Sequence, residues 1–549
     1  MDKQKSEVPQ AELAGLRQHW KSDLIAGFLV FLIALPLCLG ISMASGFPPV
    51  AGIFTAIIGG LVVTFLGGSQ LTIKGPAAGL IIIALGAVNE LGKGDALVGY
   101  RMTLAIIVAA GILQILFGWI RSGVLADFFP SAAVHGMLAA IGIIIIAKQL
   151  FTMIGVRPEA SETLELFAEL PHAFKEINPD IAIIGGLSLL IMFLFPLFKN
   201  KFLKMLPAPL VVILVAIPLG IYFDLEHEHK YLFLDGHEYT IGPKFLVTLP
   251  DNLLSAITFP DFSQLLSLTS FKYIIMFALV GSLESLLSTK AIDTLDPYKR
   301  KSNMNKDLMG IGIGNTLAGM IGGLPMISEI VRSSANINNG GKTVWSNFFH
   351  GIFLLIFVAF VPLLIHQIPL AALAAMLVYT GFKLASPKEF QTTYNIGSEQ
   401  LLIFLVTIVA TLATDLLLGI GLGILTKLIL HLLSGLPIKY VFKPLFTVRA
   451  ESEKGEYTVS IYHSAVFSNY IKLKKFLDTI PRRKVIVLDF TNSNLVDHTV
   501  MENLHQYQHA YTHDGGEFKL VGMGHLQKKS SHLLASRSLK KSNEKPKAN

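Results

Sequence analysis

Long apolar runs without charge constrain this chain more than any other feature. Leu24 to Leu39, Met102 to Ile120, Ile181 to Phe198, Phe353 to Ile365 and Leu401 to Ala413 contain no Asp, Glu, Lys or Arg. Lipid offers no water to backbone N–H and C=O groups, so a run of this kind either bonds within itself as a helix or closes into a barrel. Barrel strands alternate with a period of two, and that alternation is absent from this part of the sequence. Helices are therefore predicted. Only 15% of the 549 residues are charged, 52% are hydrophobic and the mean hydropathy is +0.58, whereas a soluble domain carries about a quarter charged residues. The chain reads as an α-helical polytopic membrane protein.

The same composition excludes other classes. Cys38, the sole cysteine, sits inside an apolar run, which leaves no disulfide framework and no cysteine-based metal or redox centre. The polar opening, residues 1–21, lacks the order of a cleaved signal and is expected to be a cytoplasmic N-terminal segment. A net charge of +7 invites a nucleic-acid reading, but the lysines and arginines gather in short loops and at the ends, as cytoplasmic loops do. No nucleic-acid partner is expected; the lipid bilayer is. There is no Gly-x-x-x-x-Gly-Lys-Ser/Thr loop and no His-Glu-x-x-His motif, so ATP drive and metalloprotease chemistry are unsupported, and the chain is not read as an enzyme.

Breaks at Gly, Pro and charge divide the region 22–440 into about fourteen segments. They start near residues 22, 50, 75, 101, 132, 180, 207, 272, 305, 326, 344, 369, 398 and 414. With a cytoplasmic N-terminus, one side receives Arg121, Lys199, Lys201, Lys204, Lys290, Lys299, Arg300, Lys301, Lys306, Lys342, Lys383 and Lys388. The other receives two acidic loops, with Glu159, Glu162, Glu165 and Glu169, then Asp224, Glu226, Glu228, Asp235 and Glu238, and only four cations, Lys93, Arg101, Arg157 and Lys230. This asymmetry predicts a multi-pass inner (plasma) membrane protein with both termini cytoplasmic.

Two places interrupt the pattern in the same manner. Lys74-Gly75-Pro76-Ala77-Ala78-Gly79 leads into a short apolar helix, and Gly322-Gly323-Leu324-Pro325-Met326-Ile327-Ser328-Glu329 leads into another. Corresponding breaks in two halves point to inverted repeats with discontinuous helices. Their N-termini present free N–H groups and partial positive charge, so together they can cradle an anion. Pro36 interrupts the first helix, either as a packing kink or as a site-lining break. Glu284 is the sharpest single residue, an acid in an apolar helix with Ser288 one turn on; it either holds Na⁺ or a proton, or bonds a neighbouring helix. Glu329 and Arg332 share a face and can pair, Arg332 can add positive charge to an anion site, and Lys74 either does the same or snorkels to the interface. Glu226-His227-Glu228-His229 and the pair His505/His509 are weaker candidates, read as solvated surface. No cofactor is expected beyond Na⁺ or H⁺ as coupling ion.

Near Lys443 the composition changes. From Tyr457 the sequence alternates, then gives a helix (NYIKLKKFLDTI), a buried strand (KVIVLDF), a helix over Thr499 to Thr512 and a strand (FKLVGM). Strands alternating with helices read as a small α/β domain, 447–525. The basic stretch 526–549 is expected to be a disordered tail.

These residues together resemble the SulP anion transporters: ALPLCLGISMASG in the first helix, GPAAG before the third, SLES around Glu284, GGLP before the tenth, RSS followed by NNGGKT, and a C-terminal STAS-like domain. The resemblance implies fourteen transmembrane segments in seven-plus-seven inverted repeats, as in uracil permease. A core (about 22–120 and 271–365) would move against a gate (about 121–222 and 366–434). It places an anion between the starts of helices 3 and 10, at Gly75, Pro76, Ala77, Ala78, Ile327, Ser328 and Arg332 with Pro36 and Leu37 of helix 1, and a coupling cation at Glu284, Ser288 and Glu329. Leu37 stands where many members have Gln and is nearer the bicarbonate-transporting branch; Ala77 and Ala78 offer no hydroxyl. His498 and Thr499 stand where regulatory STAS domains have serine. The expected activity is secondary transport of bicarbonate or sulfate by Na⁺ or H⁺ symport in a homodimer. A nucleobase/proton symporter of the same fold and a membrane-anchored STAS-type sensor are the competing readings.

Overall fold

The computed structural model describes residues 9, 12–127, 129–160, 163–198, 206–233, 237–248, 255–451, 455–481, 483–513 and 515–539. Glu162, Lys199, Lys201, Lys204, Asp235 and the end of the basic tail, 540–549, lie outside them. The chain divides into two compact units, residues 1–123 with 141–383, and residues 124–140 with 384–549.

The apolar segments form helices α1 Glu12–Ala44, α2 Val50–Ile58, α3 Ile81–Gly92, α4 Ala96–Trp119, α5 Ser131–Met153, α6 Pro179–Leu194, α7 Ala208–Tyr222, α8 Leu268–Leu295, α9 Met304–Met320, α10 Ile330–Asn338, α11 Trp345–Phe360, α12 Leu370–Leu384, α13 Ser398–Ala413 and α14 Leu416–Leu433. Seven are long and apolar enough to cross a membrane, and α2, α3, α7, α11 and α13 belong to shorter apolar helices. Each predicted segment finds its helix. Three expectations need correcting. The first helix begins at Glu12, within the stretch expected to be a separate N-terminal segment, and it continues through Pro36 to Ala44. Residues 526–539, assigned to a disordered tail, form two strands of the C-terminal sheet.

Helix starts follow local chemistry. Asp95 caps α4 through the Leu97 and Val98 amides, Asn178 caps α6 ahead of Pro179, Ser267 caps α8 and Asn303 caps α9, each side-chain oxygen accepting from an otherwise orphaned N–H. Close helix approach relies on glycine. A Cβ on Gly52 would lie 2.4 Å from the Cys38 carbonyl oxygen, and one on Gly68 would lie 2.0 Å from that of Asn303. In the first unit, α1, α2, α6, α7, α11 and α12 enclose a core around Phe31, Leu39, Ile53, Ile184, Leu354 and Met376.

In the second unit a mixed sheet carries β5 Leu445–Glu451, β6 Glu456–Ala465, β7 Val485–Val496, β8 Glu517–Val521, β9 Leu526–Lys528 and β10 Arg537–Leu539. β6 and β8 pair parallel to β7, while β5 and β10 run antiparallel to their neighbours. Helices α15 Phe467–Leu477 and α16 His498–His513 bury Tyr470, Leu473 and Leu504 against Ile461, Ile486 and Phe490. Asp497 ties this sheet to α14: it accepts from the Phe467 amide (2.9 Å) and the Val500 amide (2.7 Å), while His431 Nε2 and Lys427 Nζ lie 3.5 and 3.9 Å away. His498 and Thr499 are buried, and His498 Nδ1 meets the Leu534 carbonyl at 2.8 Å. Burial holds the His498 imidazole below its usual range.

Candidate functional site where two helix breaks cross

Both Gly/Pro breaks become short strands, β1 Ile73–Pro76 and β4 Met326–Glu329, with all residues buried; between them in sequence, β2 His229–Leu232 and β3 Glu238–Ile241 pair with each other. They pair antiparallel, Ile73 opposite Glu329, Lys74 opposite Ser328, Gly75 opposite Ile327 and Pro76 opposite Met326. Extended backbone at this depth is tolerated only if buried protein groups satisfy it, and side chains from four helices do so. The Ile73 amide donates to Ser333 Oγ (2.8 Å), Lys74 to Asn347 Oδ1 (3.3 Å), Met326 to Asn315 Oδ1 (2.6 Å) and Ser328 to Ser285 Oγ (3.0 Å). Asn315 Nδ2 in turn donates to Gln114 Oε1 at 2.7 Å. From this crossing β1 continues through the turn Ala78–Leu80 into α3, and β4 continues directly into α10.

Three charged side chains converge on the breaks. The amides of Ala78 and Gly79, at the start of α3, face the carboxylates of Glu329 and Glu284 as hydrogen-bond donors. A Cβ on Gly79 would lie 2.4 Å from both Glu284 oxygens, and one on Gly75 would lie 2.4 Å from Arg332 Nη1. The missing side chains at Gly75 and Gly79 thus give the guanidinium and the carboxylate their places beside the backbone. Arg332 is 1% exposed. Its Nη1 donates to Cys38 Sγ at 3.4 Å, whereas its Nε and Nη2, Glu284 Oε2 and Glu329 Oε1 are buried without hydrogen-bond partners. Native proteins leave few buried polar atoms in that condition, so four of them together at the crossing stand out. Ser288 is buried one turn beyond Glu284, and Pro36 lies in α1 just before the cysteine that Arg332 touches.

Lys74 occupies a different place from both positions weighed for it. It is buried, neither snorkelling nor beside Arg332: Nζ lies 2.6 Å from Asp307 Oδ1 and donates to Ser328 Oγ. Asp307 also accepts from the Gly68 amide (3.1 Å), Thr289 Oγ1 (3.1 Å) and Ser328 Oγ (3.0 Å). Sequence reasoning passed over Asp307 because it follows Asn305-Lys306, which reads as a charged loop. It also passed over Gln114, Asn315 and Asn347, whose only signal is a lone amide in an apolar run. The weaker candidates lie apart: His227 Nδ1 meets Asp224 Oδ1 at 2.7 Å, and His505 and His509 meet each other at 3.2 Å.

Known proteins bear on this arrangement. The bicarbonate transporter BicA of Picosynechococcus sp. is 26% identical over 74% of this chain and 69% of its own length; YvdB of Bacillus subtilis is 28% identical over 74% and 73%. Among solved structures, the transmembrane domain of a cyanobacterial BicA matches with a TM-score of 0.62 at 25% identity, covering 73% of this chain and 97% of that one. SLC26A9 matches with a TM-score of 0.66 over 92% of this chain and 85% of that one at 14% identity, which speaks to the fold alone. The sulfate permease family matches residues 20–436, most of the chain and every residue of the crossing, and the protein belongs to that family.

Proposed function

We propose that the protein is a secondary active transporter of a small inorganic anion, bicarbonate or sulfate, coupled to Na⁺ or H⁺ and working by alternating access. The observation that carries this reading is the crossing itself: two interrupted helices, one guanidinium with two free donor atoms, and two carboxylates with free oxygens. The anion takes the Arg332 donors and lies beside Gly75, Pro76, Ala77, Ala78, Ile327 and Ser328, with Pro36 and Leu37 flanking it. The coupling ion takes Glu284, Ser288 and Glu329. Two carboxylates outnumber one guanidinium, so an anion enters only when a cation or proton offsets one of them. The division into a moving core and a gate, the cytoplasmic termini in the inner membrane and the homodimer belong to the same proposal.

The test is uptake of labelled bicarbonate and sulfate by one proteoliposome preparation, with and without Na⁺ and pH gradients. Glu284→Gln is expected to abolish cation-stimulated uptake, and wild-type stimulation in that variant removes Glu284 from coupling. Arg332→Ala is expected to weaken anion binding more at low salt than at high salt. Unchanged affinity removes Arg332 from the site.

A further inference from the structure

A second feature of the first unit lies where α1 and α5 finish and α12 begins. A cavity of about 250 Å³ opens there between Gly40, Met43 and Ala44 of α1, the last turns of α5 and the first two turns of α12. That volume is roughly eight waters' worth at about 30 Å³ each, enough for a small anion with part of its hydration shell. Its lining includes Gln149, Thr152, Arg157 and Lys244, and no carboxylate.

The charge on its wall is one-sided. Arg157 and Lys244 are exposed at the cavity, and among the described residues no ion pair ties either. Lys244 Nζ rests 5.1 Å above the Phe245 ring, which keeps its charge at the wall. Four acids of the adjoining loops are engaged elsewhere. Glu169 accepts from the amides of Glu159 and Ala160, and those donors hold it below the usual carboxylate range. Glu238 pairs with Lys230, Asp224 meets His227, and Glu226 accepts from Gln367. A concave site lined by one sign of charge with apolar walls concentrates the opposite ion.

The floor of the cavity adjoins the proposed anion site. Gly40 follows Leu37 by three residues, about 4.5 Å along the helix and on the same face, whereas Cys38, which Arg332 touches, lies on the other side of α1. A Cβ on Gly40 would lie 3.4 Å from Leu377 Cδ1 and 3.6 Å from Leu373 Cβ, so α12 leucines close on α1 at that level.

We infer that this cavity is an anion antechamber: Arg157 and Lys244 gather a partly hydrated small inorganic anion, which waits above the Gly40–Leu377 contact before reaching Arg332. The inference rests on the anion-transport reading, and its test separates the two. Thr152→Cys is introduced and the detergent-solubilised protein is labelled with an anionic and a cationic methanethiosulfonate; unmodified protein, whose Cys38 is buried, gives the blank. Relative to a free thiol in solution, the introduced thiol is expected to favour the anionic reagent at least fivefold, and adding Arg157→Gln with Lys244→Gln removes that preference. The same pair of substitutions without the cysteine is expected to raise KM for the transported anion at least threefold at low salt with Vmax unchanged. Equal labelling preference with and without the two cations, or an unaltered KM, overturns the antechamber. If wild-type protein moves neither bicarbonate nor sulfate, the transport reading fails, and the labelling preference still decides whether the cavity gathers anions.

Discussion

Asp307→Ala tests the structural logic of the crossing most directly. The substitution leaves the Lys74 ammonium, 2% exposed, facing only Ser328 Oγ, and it also strips the Gly68 amide and the Ser328 hydroxyl of their acceptor. Removing one partner of a buried ion pair costs about 3–5 kcal/mol, because the surviving charge is shut away from water without compensation. Replacing both partners with apolar side chains of similar size is often close to neutral. The expected order is therefore Asp307→Ala far below wild type, with the double substitution Lys74→Met and Asp307→Leu recovering most of the loss. Cys38, fully buried and alone, is a natural reporter: a dye that fluoresces on reacting with a thiol follows unfolding during a thermal ramp in detergent. The single variant is expected to fall by at least about 5 °C on the usual relation between free energy and melting temperature. An unchanged midpoint for Asp307→Ala, or a double variant as unstable as the two single losses added together, refutes the view that Lys74 and Asp307 stabilise the crossing as a pair.

Two further perturbations separate position from stability. Gly79→Ala drives a methyl into the Glu284 carboxylate; the far end of that side chain can swing away, so expression and melting are expected to stay near wild type while uptake is lost, and normal uptake refutes the placement of Glu284. Asp497→Ala removes the acceptor for the Val500 and Phe467 amides and the carboxylate nearest buried Lys427, so hydrogen exchange at the start of α16 is expected to rise by at least tenfold, the equivalent of about 1.4 kcal/mol; unchanged exchange there refutes the capping role.

Much of this molecule was legible in the order of its residues. Helices follow from uncharged runs because lipid forces the backbone to bond locally, and Gly/Pro breaks are visible because they contradict that pattern. The pairing of β1 with β4 was not legible, since each strand has only four residues and its partner lies more than 250 positions away; nothing local marks Ile73 as the neighbour of Glu329. For the same reason Lys74 could be seen to be costly but not to be paired with Asp307. Pro36 misled differently: a proline removes one amide donor, and a long helix packed on both sides absorbs that loss without ending. The strands at 526–539 were hidden by basic residues, because a sheet margin needs backbone pairing more than it needs an apolar pattern.

The proposed coupling follows from a conflict at the start of α3. A helix N-terminus ordinarily draws an anion from solution, yet here the Ala78 and Gly79 amides already face the chain's own carboxylates, Glu329 and Glu284. A substrate anion therefore competes with internal anions for the same donors. Two like charges about 5 Å apart repel by about 3 kcal/mol at an effective dielectric of 20, which is more than a hundredfold in affinity. With both carboxylates ionised, Arg332 alone cannot offset two of them and a substrate as well. Neutralising one carboxylate, by a proton or by Na⁺ held among Glu284 and Ser288, releases an amide and removes a repulsion at once. Under the proposed reading, cation and anion then bind together or not at all, and this dependence arises from the count of charges around one crossing without a separate mechanism to enforce it.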